Sequence, residues 1–342
     1  MRYLVTGGAG FIGSNFIRFL FQKYGDSVSV VNLDKLTYAG NRANLQEFEG
    51  RANYRFLQGD IAKPDDVARA YAGVDDAGID VVVNFAAETH VDRSLMEAGS
   101  FIETDVHGVL VLLEEAKKQA PDLRRFIQVS TDEVYGSIET GSFTEDDVLN
   151  PRNPYSASKA GGDRMAHAYS ETWGMPIIIT RASNNFGPFQ YPEKLIPLFV
   201  TNAFDDQPLP LYGDGKNIRD WLFVEDHCAA IDYLIEHGTN GEVYNIGGGS
   251  ERENVEITHA ILDLLGKPHS LIKHVDDRQG HDRRYSLSTK RLEAAGFHIE
   301  RNFDETLEAT VRWYCDNETW WRAIKEKSAE YREYYAKQYG ER

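Results

Sequence analysis

The stretch YLVTGGAGFIGSNFIRFL, residues 3–20, runs a short apolar strand into a glycine turn and then into an amphipathic helical pattern. Gly8, Gly10 and Gly13 fit G-x-G-x-x-G, and Gly7, Gly10 and Gly13 fit the offset G-x-x-G-x-x-G. Glycines at this spacing let the backbone turn sharply and approach a pyrophosphate, which then sits at the positive end of the helix. A bare glycine fingerprint is also what a tight turn looks like. Here a second apolar segment, SVSVVNLD, ends in Asp34 at the distance where a carboxylate meets a ribose. That carboxylate can accept from a 2′-hydroxyl and repels a 2′-phosphate, so the segment predicts NAD rather than NADP. Asp60, in GDI after a further strand, is expected to border the adenine.

Outward from this loop the same alternation continues. NYRFLQ, DVVVNFAA, RFIQVS and MPIIITRA read as strands, separated by helical stretches such as HGVLVLLEEAKKQA. Near-continuous apolar strands alternating with helices predict an α/β fold, a Rossmann-type doubly wound parallel sheet covered on both faces. After about residue 185 the texture becomes loop-rich, as in DDQPLPLYGDGKN and NIGGGSEREN. The expected organisation is a dinucleotide-binding domain over 1–185 carrying the catalytic residues. A smaller, interleaved α/β substrate domain over 186–342 follows, with some segments returning to the first. The final TWWRAIKEKSAEYREYYAKQYGER reads as a charged, solvated surface helix.

The 342 residues carry a formal net charge of −17, with 42% hydrophobic and 27% charged residues. That balance suits a soluble globular chain and repels nucleic acid and anionic membrane surfaces. Cys228 and Cys315 are far apart and outside any CxxC pattern, which argues against a disulfide framework or a zinc cluster and suits a reducing cytosol. No charged-then-apolar leader opens the chain and no apolar run approaches ~18 residues, so the expectation is a cytoplasmic protein without membrane spans. His90 and Asp92 lack a third clustered ligand, so no metal site is predicted.

Two further motifs carry chemistry. In NPYSASKAGGDRMAHAYSE, Tyr155 and Lys159 are four apart and share one helical face. A nearby ammonium and the positive charge of a nicotinamide would both favour tyrosinate, letting the phenol serve as a base. In VSTDEVYG, residues 129–136, Asp132 and Glu133 stand side by side just past a buried strand. A charged pair is costly there unless a reaction uses it.

The glycine loop, Ser130-Thr131 at a strand end and Tyr-x-x-x-Lys together resemble the extended short-chain dehydrogenase/reductase family over nearly the whole chain. The triplet Thr131-Asp132-Glu133 resembles the signature of its nucleotide-sugar 4,6-dehydratases. That resemblance implies transient oxidation at sugar carbon 4 with NAD as acceptor, loss of water across carbons 5 and 6, and return of the hydride to carbon 6. It assigns Tyr155, with Lys159, to the carbon-4 hydroxyl, Glu133 as base, Asp132 as acid, and Thr131 as a hydrogen-bond partner of the carbon-4 oxygen. Sequence alone does not order the two carboxylates.

The resemblance also implies cofactor contacts at Gly7, Gly10, Phe11, Ile12 and Gly13, then at Asp34, Lys35, Leu36, Thr37, Asp60 and Ile61. Phe85, Ala86, Ala87, Thr104 and Asn185 extend that set. Glu88 and Thr89 fall near the sugar, Thr89 also among the cofactor contacts. Asn184, Lys194 and Leu195 are implied at the sugar diphosphate, Pro210 and Tyr212 at the base, and Arg219 as a phosphate clamp. Asn254, His281 and Tyr285 complete the implied nucleotide pocket. Stretches such as YAGNRANL, THVDRS, GPFQYPEKLIP and GHDRRY resemble members acting on dTDP-glucose, in deoxysugar (rhamnose-type) biosynthesis, with UDP-glucose as the alternative substrate. A homodimer joined by helices, including the one bearing Tyr155, is likewise implied. An epimerase or simple oxidoreductase on a nucleotide sugar is a second reading, which the Thr-Asp-Glu triplet disfavours. A non-catalytic NAD-dependent scaffold is a third, and it has no use for Tyr155, Lys159 and both acids.

Overall fold

The computed structural model describes residues 1–277, 282–327 and 329–339. Among them twelve strands form: β1 (Arg2–Thr6), β2 (Ser29–Asp34), β3 (Tyr54–Gln58), β4 (Val81–Asn84), β5 (Arg125–Thr131), β6 (Ile177–Ala182), β7 (Asn184–Phe186), β8 (Leu209–Tyr212), β9 (Ile218–Phe223), β10 (Val243–Ile246), β11 (Glu251–Glu253) and β12 (Ile272–Val275). Seven of them make one sheet in the order β10-β6-β5-β4-β1-β2-β3, every neighbouring pair parallel. The doubly wound sheet read from the sequence is therefore present. Its strand order reverses between β1 and β4, and a doubly wound sheet opens a ligand crevice at that point.

Side-chain alternation explains why the strands are apolar throughout. Tyr3, Val5, Val81 and Val83 pack on one face with Phe16, Ile17 and Leu20 of the helix Phe11–Tyr24 and with Ile231 and Leu234 of the helix Val224–His237. Leu4, Val82, Phe126 and Ile177 pack on the other, against Val67, Leu112, Leu113 and Ala166. With both faces covered, no strand position is free to be polar unless it is hydrogen-bonded.

The C-terminal half has its own apolar core, built from Phe199, Leu211, Trp221, Ile261, Leu307 and Trp321. Two small sheets frame it, β11-β9-β7 and β12-β8. The edge strand β10 departs from this half and pairs with β6, Val243 opposite Ile179. One buried ion pair fastens the helix Pro154–Trp173 to β6: Arg181 Nε donates to Asp163 Oδ2 at 2.8 Å with both side chains essentially unexposed. Arg181 Nη1 also donates to Tyr135 Oη at 2.7 Å, and Tyr135 Oη donates to Asn245 Oδ1 at 2.9 Å. The helix Pro154–Trp173, the turn after β5 and β10 are thus held by one chain of bonds.

The C-terminal stretch differs from the surface helix expected from its charge. It forms two helices, Glu318–Lys327 and Ala329–Tyr339, with Trp321 and Tyr331 buried. Gln338 Nε2 donates to Asp92 Oδ2 at 3.1 Å and to Tyr212 Oη at 2.5 Å, and Tyr331 Oη donates to the Pro192 carbonyl at 3.2 Å. Long polar side chains cover apolar surface with their stems, so a high charge count does not by itself make a helix solvated.

Candidate active site

The glycine loop lies at the switch point. Gly7 has φ +66°, and a Cβ there would sit 2.7 Å from the Ala86 nitrogen after β4. A Cβ on Gly13 would sit 2.4 Å from the Gly7 carbonyl oxygen, so the helix can approach the loop only without a side chain. The helix Phe11–Tyr24 starts at Gly10 with no side-chain cap and no acid in its first turn, leaving its N–H groups for an anion. Gly13→Ala is expected to weaken NAD binding at least about tenfold, a cost of about 1.4 kcal/mol, measured by calorimetric titration. Wild-type affinity in that variant would show that the close approach is dispensable.

Asp34 ends β2 and is buried. Its Oδ2 accepts from Ala9 N and its Oδ1 from Leu36 N, each at 2.8 Å. Burial pushes this carboxyl up while the two backbone bonds pull it back. The oxygens keep lone pairs for ribose hydroxyls, so the loop and Asp34 together fit a dinucleotide without a 2′-phosphate. Asp60 accepts from Ala62 N at 2.9 Å and pairs with Lys35 at 2.8 Å.

One cavity of about 300 Å³ gathers most of the residues singled out above. Gly7, Gly10, Phe11, Ile12 and Gly13 line it, with Asp34, Lys35, Thr37, Asp60 and Ile61. Phe85, Ala86, Ala87, Thr89, Thr104 and Asn185 continue the wall. Thr131, Asp132, Glu133, Tyr155 and Lys159 lie on the same wall, with Glu88, Asn184 and Lys194. Lys194 Nζ donates to the Thr89 carbonyl at 2.9 Å.

Other residues stand apart from this wall. Leu36, at φ +58°, lines a neighbouring cavity of about 610 Å³ with Arg93 and Phe101. Leu195 begins the helix Leu195–Phe204, and Pro210 and Tyr212 lie in β8. Arg219 is buried over the Tyr285 ring at 4.4 Å and donates to the Asp282 and Ile218 carbonyls. Tyr285 Oη donates to Asp282 Oδ2 at 2.7 Å. Asn254 is buried at the start of the helix Asn254–Leu265, its Oδ1 without a partner among the described residues. His281 lies outside the described residues.

The acid pair sits in the tight turn Asp132–Tyr135 that follows β5. Thr131 Oγ1 accepts from Glu133 N at 3.3 Å and donates to Asp132 Oδ1 at 3.1 Å. Asp132 is only 3% exposed, and its Oδ2 has no partner among the described residues. Burial, and next the charge of Glu133, push the Asp132 carboxyl up to about 8 against the Thr131 bond and the nearby Arg219. Glu133 Oε2 instead accepts from Asn153 Nδ2 at 3.4 Å. The two adjacent carboxyls therefore occupy different environments: Asp132 is buried with one oxygen unpartnered among the described residues, and Glu133 is half-buried with Asn153 at Oε2.

Asn153 also caps the helix Pro154–Trp173, its Oδ1 accepting from Ser156 N at 2.8 Å. This cap, with Pro154 in the first turn, sets Tyr155 beside Glu133. Tyr155 is half-buried on the cavity wall, and burial, then Glu133 and Asp105, push its phenol well above its ordinary value while a bond with Thr131 opposes them. Lys159 Nζ donates to the Val129 carbonyl at 2.9 Å. Spacing along the helix could not show which acids the neighbouring elements bring in.

Three site residues went unread in the sequence. Asp105 Oδ2 accepts from Ser158 Oγ at 2.6 Å and its Oδ1 from Glu88 N at 3.0 Å; burial raises its carboxyl to about 6. Burial and then Asp105 raise Glu88 to about 7. His227 is kept neutral by burial, pushed down to about 3, and bonds Asn185 Oδ1 through Nδ1 at 2.9 Å. Asn185 Nδ2 donates to the Ser183 carbonyl, so its Oδ1 is the acceptor and His227 Nδ1 carries the proton. The cap Asn153-Pro154 had a legible signal, the helix-start pattern. Asp105 and His227 had none. Among the described residues no three His, Cys, Asp or Glu side chains are grouped to hold a metal ion.

Known proteins resemble the chain over most of its length. The family model of GDP-mannose 4,6 dehydratase matches residues 4–310. The low-salt glycan biosynthesis protein Agl12 of Haloferax volcanii is 51% identical over 320 residues, covering 93% of this chain and 100% of that relative. A dTDP-glucose 4,6-dehydratase of Streptomyces niveus is 49% identical over 333 residues, covering 95% of this chain and 96% of its own. The crystal structure of DesIV, a dTDP-glucose 4,6-dehydratase of Streptomyces venezuelae with NAD bound, superposes with a TM-score of 0.90 at 50% identity, covering 95% of this chain and 100% of that one. A UDP-glucose 4-epimerase of Thermotoga maritima superposes at 0.85 with 26% identity over 93% of this chain and 100% of its own, so the fold alone does not separate dehydration from epimerisation. With a family model spanning nearly the whole chain and relatives near half identity end to end, this chain belongs to the GDP-mannose 4,6 dehydratase family.

Proposed function

We propose that the chain converts dTDP-glucose to dTDP-4-keto-6-deoxyglucose, an NAD-dependent lyase reaction. The observation that carries this reading is the split pair, a dry Asp132 and a hydrogen-bonded Glu133, on the cavity that also holds the glycine loop, Tyr155 and Lys159. Bound NAD supplies a hydride acceptor that later gives the hydride back, and its positive ring favours the tyrosinate. Tyr155 takes the proton of the carbon-4 hydroxyl, with Thr131 bonding that oxygen. The resulting ketone acidifies carbon 5, whose proton Glu133 removes. Asp132, protonated through burial, gives its proton to the oxygen leaving carbon 6, so that water rather than hydroxide departs. Each positioned proton transfer is worth typically 10²–10⁴-fold. An epimerisation has no use for the second acid.

Substrate deuterated at carbon 4 tests the whole sequence. The label is expected in the carbon-6 methyl of the product, with no net reduced cofactor; product unlabelled at carbon 6 would rule the reading out. Thymine is favoured over uracil by the named relatives. A single methyl contributes only ~1–3 kcal/mol, so the kcat/KM ratio for the two nucleotides is the deciding measurement.

The same reading divides the chain into an NAD-binding part, residues 1–185, and a mainly nucleotide-sugar-binding part, residues 186–342, with β10 returning to the first. Exposed Leu95, Met96 and Ile102, close in sequence to the helices flanking Tyr155, support a homodimer through that face. Two unpaired cysteines, one of them buried, support a cytoplasmic location. No helix among the described residues is long and apolar enough to cross a membrane.

A further inference from the structure

Trp320 stands on the helix Glu318–Lys327, beyond the residues matched by the family model. Its Nε1 donates to Asn44 Oδ1 at 2.9 Å, across 276 positions of chain. Asn44 is buried, and its Nδ2 donates in turn to the Ala9 carbonyl, also at 2.9 Å. Ala9 lies inside the glycine loop, and its own N–H donates to Asp34 Oδ2 at 2.8 Å. A relay of two side-chain bonds thus runs from a C-terminal indole to the backbone that cradles the pyrophosphate.

The amide of an asparagine is nearly symmetric in shape, so something must decide which end faces Ala9. With the indole N–H in place, Asn44 must offer its oxygen to Trp320 and its NH₂ to Ala9. The Ala9 carbonyl selects the same orientation from the other side, and without the indole donor the buried Asn44 oxygen loses its partner and the amide is held at one end only. The indole ring touches a second wall as well. It packs edge-on against Phe189 at 5.7 Å, and Phe189 is held at φ +67° just before Gln190 and Tyr191 of the cavity. Arg18 closes the triangle, its guanidinium 4.3 Å from the Phe189 ring centroid and its Nη2 donating to the Asn44 carbonyl at 2.6 Å.

We propose that Trp320 is a positioning residue for cofactor retention: its N–H sets Asn44, and Asn44 sets the glycine loop around NAD. The need for such a device rests on the function proposed above, because a hydride lent at carbon 4 must be returned before the cofactor departs. Trp320→Phe keeps an aromatic ring and removes only the donor. A neutral hydrogen bond of this kind is worth about 0.5–1.5 kcal/mol, so the NAD dissociation constant is expected to rise roughly 2- to 13-fold by calorimetry, without substrate. Trp313→Phe is the control, since Trp313 packs on the same Phe189 at 4.6 Å and is expected to leave that constant unchanged. Asn44→Ala is expected to weaken NAD binding as well, and the double variant with Trp320→Phe to weaken it no further than Asn44→Ala alone. During turnover Trp320→Phe should lose activity progressively and regain it on addition of NAD. Unchanged NAD affinity in Trp320→Phe, equal losses in both tryptophan variants, or additive effects with Asn44→Ala would each overturn the proposal. Carbon-4 label transfer in the unaltered protein reports on the reaction alone, so a failure there leaves the affinity result standing.

Discussion

Asp132→Asn is expected to halt the reaction after the first hydride transfer, so that reduced nicotinamide accumulates on the enzyme while water loss slows by about 10²–10⁴-fold. Asparagine has nearly the shape of aspartic acid and cannot release a proton to a departing oxygen. The argument comes from the dryness of the site: Asp132 is buried, its Oδ2 has no partner among the described residues, and burial followed by Glu133 lifts its carboxyl to about 8. Stopped-flow absorbance of reduced nicotinamide, run beside a product assay, reads both halves. A wild-type rate of water loss would remove Asp132 from the acid role.

The same carboxyl sets a pH signature. The working form is protonated, so elimination should fall as pH rises through about 8. Stability follows the same direction. Between the ordinary carboxyl value of 3.8 and about 8, the folded chain holds a proton that the unfolded chain has released. Stability therefore declines with rising pH across that window, and Asp132→Asn should flatten the decline.

Tyr155→Phe is expected to stop the reaction one step earlier. No reduced nicotinamide should appear, turnover should drop by about 10²–10⁴-fold, and NAD affinity should hold. Phenylalanine preserves the ring that meets Phe101 edge-on at 6.4 Å, so the loss would be the hydroxyl's alone. Because burial, then Glu133 and Asp105, push the phenol well above its ordinary value in the chain by itself, the variant also tests whether this hydroxyl takes the first proton at all. Reduced nicotinamide forming at the wild-type rate would transfer that role to another group. Read together, the two variants order the steps: one accumulates reduced cofactor and the other never makes it.

Much of the fold was legible because its signals are local. A glycine turn must join strand to helix, and a strand buried on both faces must be apolar, so β1 through β6 could be read in order. What escaped was long-range. β10 is a four-residue strand that pairs with β6 across more than sixty intervening residues, Val243 opposite Ile179. The last two helices were misread because charge was counted while the buried Trp321 and Tyr331 were not weighed. The site divides in the same way. Thr131, Asp132 and Glu133 are adjacent in sequence and could be picked out together. That Asp132 is buried while Glu133 meets Asn153 depends on elements that arrive from elsewhere in the chain. Asp105, His227 and the Trp320–Asn44 relay act wholly through space.

The late arrival of β10 has a consequence for how the protein is made. While the ribosome has emitted only the first 182 residues, β6 is an open border with a row of unmatched backbone groups. The border closes once residue 246 has emerged, so synthesis includes an interval in which a neighbouring nascent chain could pair there instead. Slowing translation between residues 182 and 246 lengthens that interval, and a faster stretch of codons there shortens it.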